Sequence, residues 1–284
     1  MHRLKKAIVT GGTSGVGRSI VVALLRAGFE VHFIGTNQEK AISLLQELPP
    51  EEEKRAKFVQ LDLSNLKAVQ DFALSFQKAH THLDILANIA GVVLPKREIS
   101  PEGFEKTFAI GYLSPFVLSN TLLPLLIKAG SARIVNVAGN SKPIFDLRLN
   151  FDNLDFKKDY GLFKAPFAAI HAKTVLTQSL AKRLENKGVA VNSFHPGLIR
   201  SDLTRNFIWP MRVLSWFASP FMKKSSTLGT KACLDPALAS VSGQFLEGGN
   251  QIKIDFEEAY CDGLWEATIN MLQSAKIELS QESY

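Results

Sequence analysis

Cysteine is scarce in this sequence of 284 residues, which contains only Cys233 and Cys261. Two cysteines provide neither a disulfide framework nor a recognisable metal-ligand spacing, so we predict no metal site. Low cysteine content is typical of a reducing compartment. The first predicted strand starts near residue 5, which leaves no room for an apolar leader. Together these features predict a cytoplasmic protein.

Long apolar runs and blocks of one charge are also missing. No run approaches the about 18 apolar residues that cross a bilayer, so no transmembrane segment is predicted. The 33 lysines and arginines exceed the 27 acids, for a net charge of +6. They are scattered and often stand beside acids, as in residues 51–55. This pattern argues against a nucleic-acid partner and leaves a basic surface that suits a phosphate-bearing cofactor.

The sequence does contain a regular alternation of strands and helices. Apolar, strand-like runs alternate with amphipathic helical segments, which predicts an α/β fold with a doubly wound parallel sheet and helices on both faces. No internal repeat or linker divides the chain, so residues 1–284 are predicted to form a single domain. Predicted strands occupy residues 7–9, 31–34, 57–61, 83–87, 132–137, 189–194 and 242–245, and long helices occupy residues 101–128, 166–186 and 256–274.

A glycine-rich turn, residues 10–17, follows the first predicted strand. Gly11 can adopt a left-handed backbone conformation, Gly15 lets a ligand approach the main chain, and Gly17 permits close contact between helix and strand. The N–H groups that begin the next helix then face any anion bound in the turn. The turn therefore predicts a site for the phosphates of a dinucleotide.

Three more polar or glycine-rich segments, residues 35–37, 62–63 and 88–91, directly follow predicted strands. Ligands of parallel sheets bind beyond the carboxyl ends of the strands. We therefore expect these segments and the glycine-rich turn to line one crevice.

Several segments, in this order along the chain, resemble the short-chain dehydrogenase/reductase family, in particular its retinol-dehydrogenase-like branch. They are residues 10–17, 62–63, 83–91, 133–137, 180–185 and 195–197. The resemblance implies a Rossmann sheet of about seven strands and a bound NAD(P). It also implies a set of cofactor contacts: Gly11, Thr13, Gly15, Val16 and Gly17 for the pyrophosphate, Asp62 and Leu63 for the adenine, Asn88, Ala90 and Gly91 for the adenosine ribose side, and Pro196, Gly197, Ile199 and Ser201 for the nicotinamide.

The end of the second strand favours NADP(H) over NAD(H). An acid there binds the ribose 2′-hydroxyl and repels a 2′-phosphate, whereas this sequence has Gly35. Ser14, Thr36 and Asn37 offer hydrogen bonds to the phosphate, and Arg18 is close in sequence. The arginine that is frequent in the family at the position of Thr36 is missing.

The catalytic residues of the family are absent from the sequence. In the family a tyrosine passes a proton to the carbonyl oxygen, a lysine lowers the tyrosine pKa, a serine polarises the carbonyl and an asparagine anchors a water. The flanking segments place these four positions on Pro166, Ile170, Gly139 and Gly111. No single shift of register accounts for four independent losses.

Weak substitutes lie close to the empty positions. Ser141 follows the serine position by two residues, and Lys173 lies one helical turn beyond the lysine position. Tyr160 and Lys164 have the tyrosine–lysine spacing six residues early, in what we expect to be a surface loop. Other polar candidates are predicted to have no catalytic role: Tyr112 packs, His195 is structural, and His82 and His171 lie at the surface.

Three functions remain open from the sequence. The favoured one is an NADP(H)-dependent oxidoreductase that acts on an apolar small molecule, an imine or activated alkene rather than a simple ketone, because such substrates need no tyrosine. The others are a non-redox enzyme such as an isomerase or cyclase, and a non-catalytic NADP-binding sensor or partner protein. An aromatic segment at about 203–226 is predicted to cover the substrate, and it equally suits the core or a weak peripheral membrane contact. A homodimer follows by analogy with the family.

Overall fold

Eight strands form one sheet in the computed structural model, which describes residues 3–197 and 227–279. They are β1 (Lys6–Thr10), β2 (Glu30–Gly35), β3 (Ala56–Gln60), β4 (Ile85–Asn88), β5 (Ala132–Val137), β6 (Val189–Phe194), β7 (Gln244–Glu247) and β8 (Asn250–Lys253). Their order across the sheet is β3-β2-β1-β4-β5-β6-β7-β8. All neighbours pair in parallel except β7 and β8.

The strand order reverses at β1, which pairs with β2 on one side and with β4 on the other. Such a reversal opens a crevice at the carboxyl ends of the strands, where α/β proteins bind their ligands. The glycine-rich turn lies directly at this point because it follows β1.

Helices connect the strands and cover both faces of the sheet. They are α1 (Gly15–Arg26), α2 (Gln38–Gln46), α3 (Pro50–Glu53), α4 (Leu66–Ala79), α5 (Lys106–Phe108), α6 (Ser114–Thr121), α7 (Leu123–Ala129), α8 (Ser141–Asp146), α9 (Lys164–Arg183), α10 (Thr227–Leu234) and α11 (Glu258–Ser274). The predicted parallel sheet with helices on both faces is confirmed.

Two apolar cores result from the alternation of side chains along the strands. In β1, Ile8 belongs to the core that α4, α6, α9 and α11 cover, whereas Ala7 and Val9 belong to the core under α1 and α2. Strands buried on both faces explain why the sequence shows continuous apolar runs rather than strict alternation.

The eighth strand was missing from the sequence-based prediction of about seven. A two-residue turn, Gly248–Gly249, joins β7 to β8, and both glycines have positive φ, +57° and +97°. Two adjacent glycines between extended segments are a strong hairpin pattern. This pattern would have predicted the antiparallel edge strand.

The long helix predicted for residues 101–128 is broken into pieces. A π-helical turn at Ala109–Leu113 separates α5 from α6, and α7 follows after Leu122. Within the described residues, no single helix is long and apolar enough to span a membrane. One pair, Lys106–Thr121 with Leu123–Ala129, has the length and composition but is bent by 57°.

Candidate active site

The glycine-rich turn has a backbone that only glycine tolerates at its tightest points. Gly11 and Gly15 have φ of +67° and +52°. A Cβ added to Gly17 would lie 2.2 Å from the carbonyl oxygen of Gly11, a distance that no side chain can adopt. The turn is therefore pressed against the start of α1, as predicted from the spacing.

No side chain caps the N–H groups at the start of α1. Ser14 is the N-cap residue in an extended conformation, but its side chain makes no capping hydrogen bond, and the first turn contains no acid. Capping side chains usually satisfy these donors. Open N–H donors beside a glycine-rich turn fit the pyrophosphate of a dinucleotide.

The segment after β4 packs directly against this turn. The Thr10 hydroxyl accepts hydrogen bonds from the N–H groups of Ile89 and Ala90, at 2.9 and 3.1 Å. A Cβ on Gly11 would lie 3.0 Å from the Ala90 Cα. Ala90 and the exposed Gly91 therefore border the crevice with Gly11. Thr10 holds this junction together, a role that the sequence did not reveal.

Asn88 lies at the predicted place, but its side chain is turned into the sheet. It is fully buried and donates from Nδ2 to the Asn136 side chain at 2.9 Å and to the Ser119 hydroxyl at 3.4 Å. Asn136 in turn donates to the Thr177 hydroxyl at 3.0 Å. The Nδ2 group of Asn88 thus links β4 to β5 and α6, while its buried Oδ1 has no hydrogen-bond partner among the residues that the structure describes. The contact of Asn88 with the ribose side stays a prediction.

The end of β2 has room for neither an acid nor any other side chain at Gly35. A Cβ there would lie 2.8 and 2.9 Å from the Thr13 methyl carbon and hydroxyl oxygen. Thr13 is accordingly buried against β2, and its hydroxyl faces Gly35. Thr36 is exposed at this point, whereas the carboxamide oxygen of Asn37 accepts the Lys40 N–H at 2.8 Å and caps α2.

Arg18 does not approach the 2′-phosphate position. Its guanidinium pairs with Glu47 at 2.5 Å, beyond the carboxyl end of α2. Since Asn37 caps the other end of that helix, Arg18 lies away from the crevice. Closeness in sequence therefore does not bring Arg18 to the phosphate position.

Asp62 and Leu63 follow β3 at the same edge of the sheet. Asp62 is exposed, and one of its carboxylate oxygens accepts both the N–H and the hydroxyl of Ser64 at 2.9 and 2.8 Å. Leu63 is buried. The turn is thus rigid and presents Asp62 at the rim, while the adenine contact stays a prediction.

Pro196 and Gly197 follow β6, with Gly197 exposed at φ +78°. The neighbouring His195 donates its backbone N–H to the Leu246 carbonyl at 2.8 Å, which anchors the segment to β7. Its buried Nδ1 has no hydrogen-bond partner among the residues that the structure describes. Ile199, Ser201 and the predicted lid at about 203–226 lie outside the described residues.

Two of the four positions that the resemblance assigns to catalysis, Gly139 and Ile170, lie in contact. A Cβ on Gly139 would contact the Ile170 side chain at 3.4 Å and the Ile144 side chain at 3.4 Å. A Cβ on Gly111, in the π-helical turn, would lie only 2.8 Å from the Cβ of Ala169 in α9. Pro166 is buried one turn before Ile170 in the same helix. Gly139 and Ile170 therefore meet through apolar groups, and the assignment of the four positions to catalysis stays a prediction.

Tyr160 and Lys164 do not act as a displaced catalytic pair. The Tyr160 hydroxyl donates to the Leu94 carbonyl at 2.8 Å, and the Lys164 ammonium pairs with Asp159 at 2.5 Å. Burial, followed by the nearby charge of Glu105, raises the pKa of Tyr160. A catalytic tyrosine needs the opposite shift, so the contacts and the pKa direction favour a structural role for this loop.

Ser141 is occupied by a partner that the sequence did not reveal. Its hydroxyl donates to the Glu247 carboxylate at 2.5 Å, and its backbone N–H donates to the other oxygen at 3.2 Å. Glu247 ends β7 immediately before the hairpin turn. Ser141 therefore fixes the β7–β8 hairpin to α8 and is not directed at the Gly139 position.

Of the two substitutes for the missing catalytic residues, Lys173 is the one whose side chain is not engaged by a partner among the described residues. It is 2% exposed, and among the described residues its ammonium has no acceptor. Burial lowers the pKa of its amine to about 7. It lies on one stripe of α9 between Ala169, which touches Gly111, and Thr177, which binds Asn136. Helical side chains lean toward the amino end of their helix, here toward the turn that carries Pro166 and Ile170.

Two histidines predicted at the surface are buried. His171 is fully buried, and its ring nitrogens contact the Ile144 carbonyl at 2.6 Å and the Tyr260 hydroxyl at 2.7 Å. His82 is 6% exposed and bonds the Leu4 carbonyl at 3.0 Å. Both predictions were wrong because the partners are distant in sequence. Tyr112 packs as expected, with its hydroxyl bonded to Thr268.

Known proteins resemble this chain in sequence. A sequence model described as short chain dehydrogenase matches residues 5–142. Retinol dehydrogenase 12 of Bos taurus is 33% identical over 240 residues, which cover 83% of this chain and 73% of the relative. Polyprenol dehydrogenase of Homo sapiens is 28% identical over 279 residues, 93% of this chain and 84% of the relative.

The fold also recurs among solved structures. The RhlG/NADP active-site complex of Pseudomonas aeruginosa matches with a TM-score of 0.64 at 23% identity, over 88% of this chain and 99% of that one. At this identity the likeness shows a shared fold.

Proposed function

Because this chain belongs to the short-chain dehydrogenase/reductase family, in its retinol-dehydrogenase-like branch, we propose that it is an NADP(H)-dependent oxidoreductase that works without the family's tyrosine. The observation that carries the proposal is an intact phosphate-binding turn beside assembled catalytic positions that hold no proton donor. NADP(H), when bound, supplies or accepts a hydride.

The end of β2 supports NADP(H) rather than NAD(H). Thr13 fills the space that an acid at position 35 would need, so no carboxylate can enter to repel a 2′-phosphate. Thr36 is exposed there, and Ser14 has an unused hydroxyl at the start of α1. RhlG, which shares this fold, was solved as a complex with NADP. Gly11, Gly15, Val16, Gly17, Ala90 and Gly91 would hold the remainder of the cofactor.

The substrate class follows from the apolar catalytic positions. The space beside Gly139 is bordered by the side-chain carbons of Ile144 and Ile170. Hydride transfer to an iminium carbon neutralises a cation, and a conjugated alkene takes hydride at carbon, so neither reaction must deliver a proton to a carbonyl oxygen through a tyrosine. Two relatives are named for apolar substrates, retinol and polyprenol, which supports an apolar substrate for this chain. An apolar imine or activated alkene therefore fits better than a simple ketone.

Lys173 would supply the one proton that each reaction consumes, either to convert a neutral imine to its iminium ion before hydride transfer or to protonate the carbanion that hydride addition to an activated alkene leaves. An amine with its pKa near 7 holds and releases protons readily at neutral pH. An unpaired buried lysine is costly for stability, and such residues cluster at functional sites. Its side chain leans toward Ile170, where the family's lysine would have been.

Fluorescence titration with NADPH and NADH tests the cofactor assignment. We expect tighter binding of NADPH, and no binding of either at millimolar concentration would overturn the whole proposal.

Consumption of NADPH with a cyclic imine, an enone and a simple ketone then tests the reaction. We expect turnover with the first two. Efficient ketone reduction would show that a proton donor to oxygen exists after all, and tight NADPH binding with no turnover would favour the non-catalytic sensor.

A further inference from the structure

We infer that Glu30, His32 and His80 form a binding site for a zinc-type divalent cation at the amino-terminal edge of the sheet. The site is independent of the proposed function, because the glycine-rich turn lies at the opposite edge. It revises the expectation of no metal site, which rested on cysteine spacing alone. Glu30 and His80 are fifty residues apart in sequence, so no local motif reveals the cluster.

The fold brings the three ligand groups together in a simple way. Glu30 and His32 alternate with buried residues along β2 and therefore lie on the same face. His80 follows the last residue of α4, which packs on that face, and its N–H is bonded to the Phe76 carbonyl at 3.0 Å. One ligand atom from each residue lies within 4.8 Å of the other two.

The distances suit a zinc ion. Two ligands at the usual 2.0–2.1 Å from a tetrahedral zinc are about 3.3 Å apart, and the Glu30 carboxylate and His32 Nε2 are separated by 3.1 Å. His80 closes onto the ion by a small movement of its ring, which is 5.3 Å from the His32 ring between centroids. Two imidazoles and one carboxylate leave the fourth position to water.

Both imidazoles are prepared for metal binding. Burial lowers the pKa of His32 and of His80, and the charge of Lys6 lowers both further, while Glu30 acts in the opposite direction. A neutral ring offers the lone pair that a metal needs. The Phe76 ring packs at 5.0 Å from the His32 ring and 4.1 Å from the His80 ring, which restricts both.

Lys6 already holds a positive charge at this site. Its ammonium pairs with Glu30 at 2.6 Å, and both side chains are largely buried, at 15% and 18% exposure. The carboxylate thus attracts a cation into a sheltered position. A divalent ion must compete with that ammonium for the Glu30 carboxylate. Lys6 should therefore lower the affinity for the metal, and replacing Lys6 tests the site.

The experiment is a titration of untagged, chelator-treated protein with ZnCl2, in competition with a chromophoric chelator, and with CoCl2 as a spectroscopic probe. We expect one zinc per chain, ligand-field bands of tetrahedral cobalt, and a rise in melting temperature with zinc. His32→Gln and His80→Gln should each weaken zinc binding about 100-fold. Lys6→Met should tighten it about tenfold, because the competing charge is removed.

His82→Gln is the matched control, because His82 lies at the same edge of the sheet but outside the cluster. Circular dichroism verifies that each variant is folded. His80 is only partly buried, so His80→Gln still tests the site if His32→Gln unfolds. Zinc affinity unchanged in His80→Gln, weakened in Lys6→Met, or lost in His82→Gln would overturn the inference, as would no binding by the wild-type chain at millimolar zinc.

Discussion

Two regions at the carboxyl edge of the sheet differ sharply in how they are built. Around β1, the turn relies on contacts that only glycine allows, such as Gly17 against the Gly11 carbonyl. Between β5 and α9, Gly139 and Ile170 meet as apolar neighbours where the family places hydroxyls and an amine. The glycine-rich turn thus has strict packing requirements, whereas the contact between Gly139 and Ile170 is made by apolar groups. Our proposal for this chain is that nucleotide binding is kept while the family's proton-transfer groups are replaced.

Gly17→Ala should cause the largest effect and break the first region. The new methyl group would lie 2.2 Å from a backbone oxygen, so the turn must distort, at a cost of about 3 kcal/mol in the free energy of unfolding. NADPH binding should be lost in the fluorescence titration. Gly161→Ala is the control, because its methyl group would meet only the flexible stem of Lys164 at 3.2 Å. Normal NADPH binding by Gly17→Ala would refute the role of the turn.

Lys173→Met addresses the second region. Turnover should fall about 100-fold, since general acid–base groups contribute on this scale. The free energy of unfolding should rise by about 1–2 kcal/mol, because an unpaired buried amine is removed. NADPH affinity should stay unchanged.

Opposite effects on turnover and stability distinguish a functional lysine from a structural one. Lys164→Met is the control, as that lysine is exposed and paired with Asp159. A less stable Lys173→Met protein with normal turnover would contradict our assignment.

The pH dependence of stability should differ between the wild type and Lys173→Met. The pKa of Lys173 is about 7 in the folded chain against 10.5 ordinarily. Between these values the unfolded chain carries the extra proton, so the wild-type free energy of unfolding rises with pH, by at most about 1.4 kcal/mol per pH unit. Urea unfolding curves at several pH values between about 7 and about 8.5 measure this slope. The variant should lack this increment, and equal slopes would show that Lys173 is not shifted.

Tyr160→Phe should have the smallest effect. The loss of the hydrogen bond to the Leu94 carbonyl costs about 1 kcal/mol of stability, while turnover with an imine or enone should not change. Steady-state kinetics with NADPH checks this. A large loss of turnover would mean that the displaced tyrosine–lysine spacing is catalytic and that the two regions are less different than they look.

The sequence predicted those parts of the fold that depend on local patterns. The apolar runs located the seven parallel strands within a few residues, and the glycine spacing located the phosphate-binding turn. Of the four positions that the resemblance assigns to catalysis, Gly139 and Ile170 lie in contact, and the assignment itself stays a prediction. Each of these depends on residues near one another in the chain or on a regular period.

Contacts between distant segments were beyond such patterns. His171 is buried because Tyr260 and the Ile144 carbonyl satisfy its ring, and neither neighbour is visible from the polar character of α9. Arg18 pairs with Glu47 rather than facing the crevice. Asn88 donates to the Asn136 side chain inside the sheet, a contact that its place after β4 did not indicate. In each case the partner, not the residue type, determines the role.

The close approach of Gly111 and Ala169 limits which side chains position 111 can hold. An asparagine at position 111 would collide with the Ala169 methyl group, since even a Cβ lies 2.8 Å from it. A Gly111→Asn substitution alone should therefore destabilise the chain, and introducing that side chain without the collision requires a simultaneous change in α9.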